Sequence, residues 1–135
     1  MPADVVNSFI AAIERDDLAH ALTHLTDDCV YDNVPIGVVN GRDAVRSALE
    51  PFLASCTQVE WVVHHQATEG TLDSGVVMNE RLDRFLMGDR WIEVAVAGLF
   101  VIRHGQIELW RDYFDRESFM TQMNPPVPHA VTPPA

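Results

Sequence analysis

The feature that most constrains the fold is a change of hydrophobic period just after Phe52. Before Phe52, apolar side chains recur every three or four positions, which is the spacing of amphipathic helices. After it, apolar and polar residues alternate as in strands, because successive side chains of a strand point to opposite faces. Four such stretches cover residues 59–63, 77–85, 91–102 and 107–114. Helices that precede strands in this way indicate an α+β fold.

Three helices and one short strand are predicted before the change of period. The helices cover residues 5–13, residues 18–25 and a segment that follows the Asn40-Gly41 turn and reaches Phe52, and the strand covers residues 29–33. Turns at residues 70–73, 87–90 and 103–106 join the later stretches at hairpin spacing. We therefore expect a largely antiparallel, meandering sheet.

A chain of 135 residues fits one domain, which is predicted to cover residues 1–123. Residues 124–135 are rich in Pro, which lacks a backbone N–H and interrupts helices and central strands. This segment is predicted to be a tail that is disordered or lies on the surface.

The composition argues against several classes of partner. A formal net charge of -11 and a pI near 4.7 do not suit binding to nucleic acid or to an anionic membrane surface. The N-terminal segment has no basic leader and no long apolar run, so a cytoplasmic location is expected.

No metal site is expected from the Cys and His residues. Cys29 and Cys56 are too few for a disulfide framework and lack zinc-site spacing. His20 and His24 lie four residues apart on a helix, a spacing that can bind metal, but no third ligand is apparent.

The strand over residues 77–85 carries charge on the face that also holds Phe85. Alternation places Asn79, Arg81 and Asp83 on that face. Because the central strand of such a fold should bury one apolar face, Arg81 and Asp83 are interpreted as ionisable groups that point into a cavity. A surface salt bridge is an equally good interpretation of this strand alone.

Asp112 shares a strand face with Trp110 and Phe114. Burial beside aromatic rings raises the pKa of a carboxyl and makes it a useful proton carrier near neutral pH. The alternative is an Asp paired with Arg111 at a sheet edge.

Tyr31 and Asn33 also face the same way, two residues apart. A phenol and an amide can together hold a water molecule for a nearby base. A core Tyr with a satisfied hydroxyl is the alternative for this pair.

Taken together, three groups of residues resemble the limonene-1,2-epoxide hydrolase family in type, order and spacing. They are Tyr31-x-Asn33, Arg81-x-Asp83 and residues 110–115, which read Trp-Arg-Asp-Tyr-Phe-Asp. The resemblance implies N-terminal helices packed on a strongly curved, mostly antiparallel sheet that forms a cone around a deep apolar pocket. Ketosteroid isomerases and polyketide cyclases are similar in fold, so only the polar residues favour the hydrolase. The loop after Asn33 is shorter than expected for the limonene enzyme, which leaves the substrate open.

The resemblance implies an enzyme that adds water to a small apolar epoxide, of terpenoid or lipid-like character, and forms a vicinal diol. In this scheme Asp112 is the base, Asp83 is the acid and Arg81 bridges them, while Tyr31 and Asn33 orient the water. Apolar side chains are expected to contact the substrate: Phe85, Trp110, Phe114, Val94 and Val96. No cofactor is needed, the partners are the epoxide and water, and a homodimer is expected.

Two other classes of function stay open at this point. An isomerase or cyclase of the same fold would use one Asp to move a proton next to a carbonyl. A non-catalytic binding or dimerisation module would show no turnover of an epoxide.

The hairpins decide whether the two acids can meet. A two-residue loop at Gly88-Asp89 pairs Asp83 with Val94 and Arg81 with Val96. A plain two-residue loop at residues 104–105 would turn Asp112 to the other face. We therefore predict a three-residue loop with a bulge, or another irregularity, between residues 100 and 107.

Overall fold

The order of the helices and strands confirms the α+β prediction. The computed structural model describes residues 1–125, so the predicted tail lies outside the described residues from position 126 onward. The elements are α1 (Pro2–Glu14), α2 (Leu18–Leu22), β1 (Leu25–Asn33), β2 (Gly37–Asn40), α3 (Arg42–Ala54), β3 (Gln58–Gly70), β4 (Ser74–Met87), β5 (Arg90–Arg103), β6 (Gln106–Tyr113) and α4 (Arg116–Met123).

The structure differs from the sequence analysis in three places, of which one is a helix boundary and two are elements that were not predicted. The second helix ends at Leu22, and Leu25 already belongs to β1. The segment after the Pro35 interruption forms the short strand β2, which pairs with β1. Helix α4 was not expected, because its apolar residues show little helical periodicity. It begins at a local signal, the Asp115 side chain, which accepts a hydrogen bond from the Glu117 backbone N–H.

The six strands form one curved sheet in the order β2-β1-β6-β5-β4-β3. Strands β3 to β6 form the predicted antiparallel meander. The exception to antiparallel pairing is β1 with β6, which run parallel and pair Tyr31 with Trp110 and Asn33 with Asp112. This parallel pair brings the first strand next to the last one, although their residues are far apart in sequence.

The helices cover the inner face of the sheet, and Phe9 of α1 lies near the centre of the core. Its ring meets Trp61, Phe100 and Trp110 edge to face, with centroid distances of 6.2, 6.5 and 5.1 Å. Full burial of such an aromatic side chain contributes about 1.5 to 3 kcal/mol. The aromatic cluster therefore fixes α1 against the middle of the sheet.

The predicted irregularity between β5 and β6 is present, but its form differs from the expected loop. His104 and Gly105 form a two-residue turn with φ angles of 51° and 76°, so the three-residue loop is wrong. The register shifts instead one step into the strands, where Glu108 of β6 has no partner on β5. This bulge pairs Asp112 with Gly98 and turns Asp112 inward, as the mechanism requires.

The turn at Gly88-Asp89 confirms the other register prediction. Met87 pairs with Arg90, so Asp83 lies opposite Val94 and Arg81 opposite Val96. From Gly75 to Phe85, every second residue of β4 is buried and those between are exposed or half-buried, so both charged side chains point to the inner face.

Candidate active site

A cavity of about 370 Å³ lies between the inner face of the sheet and helices α3 and α4. Nine of the ten predicted site residues line it: Tyr31, Asn33, Asp83, Phe85, Val94, Val96, Trp110, Asp112 and Phe114. Arg81 is the exception, since it lies outside the cavity lining and its side chain is fully buried.

Arg81 bridges the two carboxyls from this buried position. Its Nε donates to Asp83 Oδ1 at 2.8 Å, and its Nη2 donates both to Asp83 Oδ2 at 3.1 Å and to Asp112 Oδ2 at 2.7 Å. The two acids therefore meet through one guanidinium nitrogen. Burial of all three groups excludes the surface salt bridge that was open for β4.

The electrostatics of this triad favour a shared proton. If both carboxyls were ionised, the buried triad would carry a net negative charge, which desolvation penalises. Burial raises the pKa of Asp83 to about 7, although Arg81 opposes this shift. Burial also raises the pKa of Asp112 against the same opposition from Arg81. Arg81 stays charged, because the two carboxyls outweigh the effect of burial and raise its pKa.

Asn33 and Asp112 supply two buried oxygens on neighbouring strands. Asn33 Oδ1 and Asp112 Oδ1 have no hydrogen-bond partner among residues 1–125. Buried acceptors without a partner are uncommon in folded proteins, so each of these two oxygens can accept a hydrogen bond from a bound molecule. A single water molecule has two hydrogens to donate.

Tyr31 lines the same cavity as Asn33 and Asp112 and packs flat on Trp110. The ring centroids are 3.8 Å apart and the ring planes differ by 14°. Burial raises the pKa of the Tyr31 hydroxyl well above its usual range, and Asp112 adds to that shift. The hydroxyl therefore keeps its proton and can act as a hydrogen-bond donor toward the cavity.

Arg111 does not pair with Asp112, so the sheet-edge interpretation of this segment is wrong. Arg111 Nε instead donates to Asp32 Oδ2 at 2.8 Å, on the outer side of the strands. The outward charges of β1 and β6 therefore pair with each other, whereas the inward Asp112 pairs with Arg81 of β4.

Sequence reasoning did not assign three residues that surround Arg81. Asn79 accepts a hydrogen bond from Arg81 Nη1 at 3.0 Å, and the Trp61 ring lies 4.8 Å from the Arg81 guanidinium carbon. Gly98 leaves space beside these groups, because a Cβ there would lie 2.8 Å from Asn79 Oδ1 and even closer to Arg81. A Gly inside a strand signals close approach of other atoms and could have identified this position.

The rest of the cavity wall is almost entirely apolar. The β1–β2 turn, strand β2 and helices α3 and α4 contribute Ile36, Val38, Ala48, Leu49, Phe52, Phe119 and Met120 to the lining. The polar groups are therefore confined to one end of the cavity, where Tyr31, Asn33 and the two carboxyls lie.

Residues 1–124 match the family described as the limonene-1,2-epoxide hydrolase catalytic domain. The chain belongs to the limonene-1,2-epoxide hydrolase family. It is also 30% identical to epoxide hydrolase EphG of Mycobacterium tuberculosis over 110 residues, which are 82% of this chain and 70% of EphG. The family match and this relative support an epoxide hydrolase at the level of the family.

Two solved structures have a similar fold. A limonene-1,2-epoxide hydrolase-like enzyme of M. tuberculosis superposes with a TM-score of 0.76 and 26% identity, over 90% of this chain and 91% of the other. A Pseudomonas putida protein described as a polyketide cyclase has a TM-score of 0.69 and 14% identity, over 90% and 97% of the two chains. The second likeness concerns the fold alone.

The described residues show neither a metal-binding cluster nor a membrane-spanning helix. No group of three or more His, Cys, Asp or Glu side chains is arranged to hold a metal ion within residues 1–125. Over the same residues, every helix is too short or too polar to span a membrane.

Proposed function

We propose that this protein adds water to an apolar epoxide and forms a vicinal diol in one step, by general acid and base catalysis. The observation that carries the proposal is Arg81, which holds two buried carboxyls at the polar end of an apolar cavity. Epoxide opening needs a base for the water and an acid for the leaving oxygen in the same transition state. Two carboxyls that share one proton supply both.

Asp112 is the base in this proposal. Its Oδ2 is held by Arg81, whereas its Oδ1 is free to accept a proton from water. A water that donates to Asp112 Oδ1 and Asn33 Oδ1 satisfies both unpaired acceptors and can accept a hydrogen bond from Tyr31. Its lone pair then attacks an epoxide carbon directly as Asp112 removes its proton.

Asp83 is the acid. The pKa near 7 that burial gives it keeps a substantial fraction protonated at neutral pH. Protonation costs Asp83 one of its two hydrogen bonds from Arg81, and the oxygen that is released donates its proton to the epoxide oxygen. After the reaction the diol carries the proton from Asp83, and Asp112 carries the proton taken from the water. Proton transfer from Asp112 to Asp83 within the triad then restores the starting state.

The substrate is an uncharged, mainly hydrocarbon epoxide. Beyond the polar end, the cavity offers apolar and aromatic side chains, and its volume of about 370 Å³ suits a terpenoid or a lipid-like molecule. Phe85, Val94 and Val96 lie beside Asp83 and contact the carbon skeleton next to the epoxide, while Trp110 and Phe114 flank Asp112. Arg81 does not line the cavity and acts through its hydrogen bonds to the two carboxyls. The triad completes the chemistry without a cofactor.

We also propose a homodimer formed through the outer face of the sheet. Val62 of β3 and Val76 and Met78 of β4 are large apolar residues exposed on this face. Exposed apolar patches of this kind mark interaction surfaces, and a second copy of the chain offers a matching patch. Light scattering should give twice the chain mass of 15.1 kDa. A monomer at micromolar concentration would contradict this part of the proposal. The cytoplasmic location and the domain boundary at residue 123 remain predictions.

The test is a diol-formation assay with a panel of cyclic and linear apolar epoxides, measured by gas chromatography with chiral separation. At least one epoxide should be turned over, and a charged analogue of similar size should not be. An Arg81→Leu variant supplies the blank for background hydrolysis. Failure of every epoxide, with turnover of an enolisable ketone instead, would favour an isomerase and overturn the proposal.

A further inference from the structure

Asn79 is the neutral partner of Arg81 in the buried cluster. The Arg81 guanidinium places Nε and Nη2 on the two carboxyls and directs Nη1 to Asn79 Oδ1 at 3.0 Å. Asn79 is 5% exposed and lies outside the cavity lining, so it does not meet the substrate. It shares the inner face of β4 with Arg81 and Asp83.

The Asn79 amide is itself held in one orientation. Its Nδ2 donates to Gln66 Oε1 at 3.1 Å, and Gln66 Nε2 donates to Asn7 Oδ1 of α1 at 3.1 Å. In this series of hydrogen bonds each donor lies nearer to Arg81 than its acceptor does. Each amide therefore directs its oxygen toward Arg81 and its N–H group away from it. Bonds aligned in this way polarise one another and strengthen the acceptor next to the cation.

A bulge in β3 makes this series of hydrogen bonds possible. Val63 pairs with Arg81, but His64 has no partner on β4, so Gln66 lies opposite Asn79. Without the extra residue, His65 would lie opposite Asn79. On the other side of β4, Asn79 pairs with Gly98, where a Cβ would collide with both Asn79 and Arg81.

We propose that Asn79, oriented by Gln66, is a positioning residue that holds the Arg81 guanidinium in contact with both carboxyls. The expected effect on kcat rests on the proposed function, whereas the expected effect on the orientation of Arg81 rests on geometry. An amide suits this role because it accepts a hydrogen bond without adding charge. A third carboxylate there would compete for the charge of Arg81 and change the proton count of the triad.

The test compares Asn79→Ala with Val77→Ala. Val77 is fully buried on the same strand and the same face, two residues away, so its truncation creates a cavity without removing a bond to Arg81. The first readout is the ¹⁵N NMR spectrum of the Arg side chains without substrate, in which the Arg81 signals are assigned by their loss in Arg81→Lys. A guanidinium held at both ends gives separate Nη1 and Nη2 signals, and a released one gives averaged signals.

We expect separate signals in the wild type and in Val77→Ala, and averaged or displaced signals in Asn79→Ala. On an epoxide that the wild type hydrolyses, Asn79→Ala should lower kcat about tenfold or more with KM within about twofold, because the ground-state contacts of the substrate remain. Val77→Ala should keep kcat close to the wild-type value.

Gln66→Leu is a second variant that keeps the test valid if Asn79→Ala does not fold. Gln66 is exposed, so its replacement should leave the fold intact. It should partly average the Arg81 signals and lower kcat about two- to threefold, since it frees the Asn79 amide. Unchanged Arg81 signals in Asn79→Ala, or in Gln66→Leu if the former does not fold, would overturn the inference whether or not an epoxide is hydrolysed. Changed signals with unchanged kcat would also overturn it. Changed signals in a protein that hydrolyses no epoxide would leave Asn79 as the holder of Arg81 and refute only the proposed function.

Discussion

Single side chains determine where the proton of the buried triad can go. Asp83 receives two hydrogen bonds from Arg81, whereas Asp112 receives one and keeps its Oδ1 unpaired. The two carboxyls are thus chemically different although they share a cation. In the proposed mechanism this asymmetry assigns the water to Asp112 and the epoxide oxygen to Asp83.

Neutralisation of either carboxyl should abolish most of the activity. We expect Asp83→Asn and Asp112→Asn each to lower kcat at least about a hundredfold, the usual scale for loss of a general acid or base, with circular dichroism unchanged. Asp32→Asn is the matched control, because Asp32 also lies in a strand but pairs with Arg111 outside the cavity. Tyr31→Phe should cost less, since Asn33 and Asp112 still hold the water. Full activity of either carboxyl variant would exclude the mechanism.

The rate should depend on pH through the state of the pair. With one proton shared, activity falls at high pH as Asp83 loses its proton near pH 7 and at low pH when both carboxyls are protonated. Above the upper apparent pKa, kcat/KM should fall about tenfold per pH unit. Stopped-assay rates between pH 4 and 10 would give the profile. A rate that stays constant from neutral to alkaline pH would show that no acid of this pKa is required.

At the scale of elements, strand irregularities and one Gly set the geometry of the site. The bulge at Glu108 turns Asp112 inward, and the bulge at His64 places Gln66 opposite Asn79. Gly98 of β5 lies between Asn79 and Asp112, on the two neighbouring strands. Each of these features acts between neighbouring strands. As a result, side chains of three different strands converge on the Arg81 guanidinium.

Replacement of Gly98 tests how tightly the strands pack around Arg81. In Gly98→Ala the new Cβ would lie 3.1 Å from Asp112 Oδ1, 2.8 Å from Asn79 Oδ1 and closer still to Arg81. Arg81 must move, so kcat should fall about tenfold or more and stability should decrease by about 1 to 3 kcal/mol, the scale of overpacking. Ala97→Val is the control, because Ala97 is exposed on the other face of β5. Chemical denaturation and initial rates would measure both effects, and wild-type values for Gly98→Ala would contradict the geometry.

The hydrophobic periods were sufficient to predict the long strands of the meander, but not every element or every connection. Alternation in β4 and β5 identified the inward face, and hairpin length identified the pairing of Asp83 with Val94. The position of the β6 bulge was inferred only approximately, because a turn and a bulge can produce the same shift. Helix α4 and strand β2 have weak periodic patterns and take their form from contacts with the rest of the protein. For the same reason the orientation of Asn79 was not predictable, since it depends on Gln66 of another strand.

At the scale of the whole molecule, the buried carboxyls should make folding stability depend on pH. The folded-state pKa of Asp83 is raised to about 7, above the value of about 3.9 for an unfolded chain, and that of Asp112 is also raised. A raised carboxyl pKa means that the folded state binds protons more tightly than the unfolded state. Stability is therefore greatest below about pH 4 for this contribution and decreases as pH rises to about 7.

Thermal unfolding at pH 5 and pH 8 would measure this effect. The wild-type Tm should be lower at pH 8, and Asp83→Asn should show a smaller difference between the two pH values, because it removes one raised carboxyl. Asp32→Asn should keep the wild-type difference. If Asp83→Asn loses as much stability as the wild type between these pH values, the carboxyl does not carry the raised pKa.

The central claim, that water itself opens the epoxide, is tested most directly by a single turnover in H₂¹⁸O with enzyme in excess over an epoxide identified by the panel assay. Direct attack by a water held between Asp112 and Asn33 predicts one ¹⁸O in the diol from the first turnover, detected by mass spectrometry, and no such product with Asp112→Asn. An unlabelled diol in the first turnover would mean that a protein carboxylate attacked the epoxide and supplied its own oxygen, which would contradict the account.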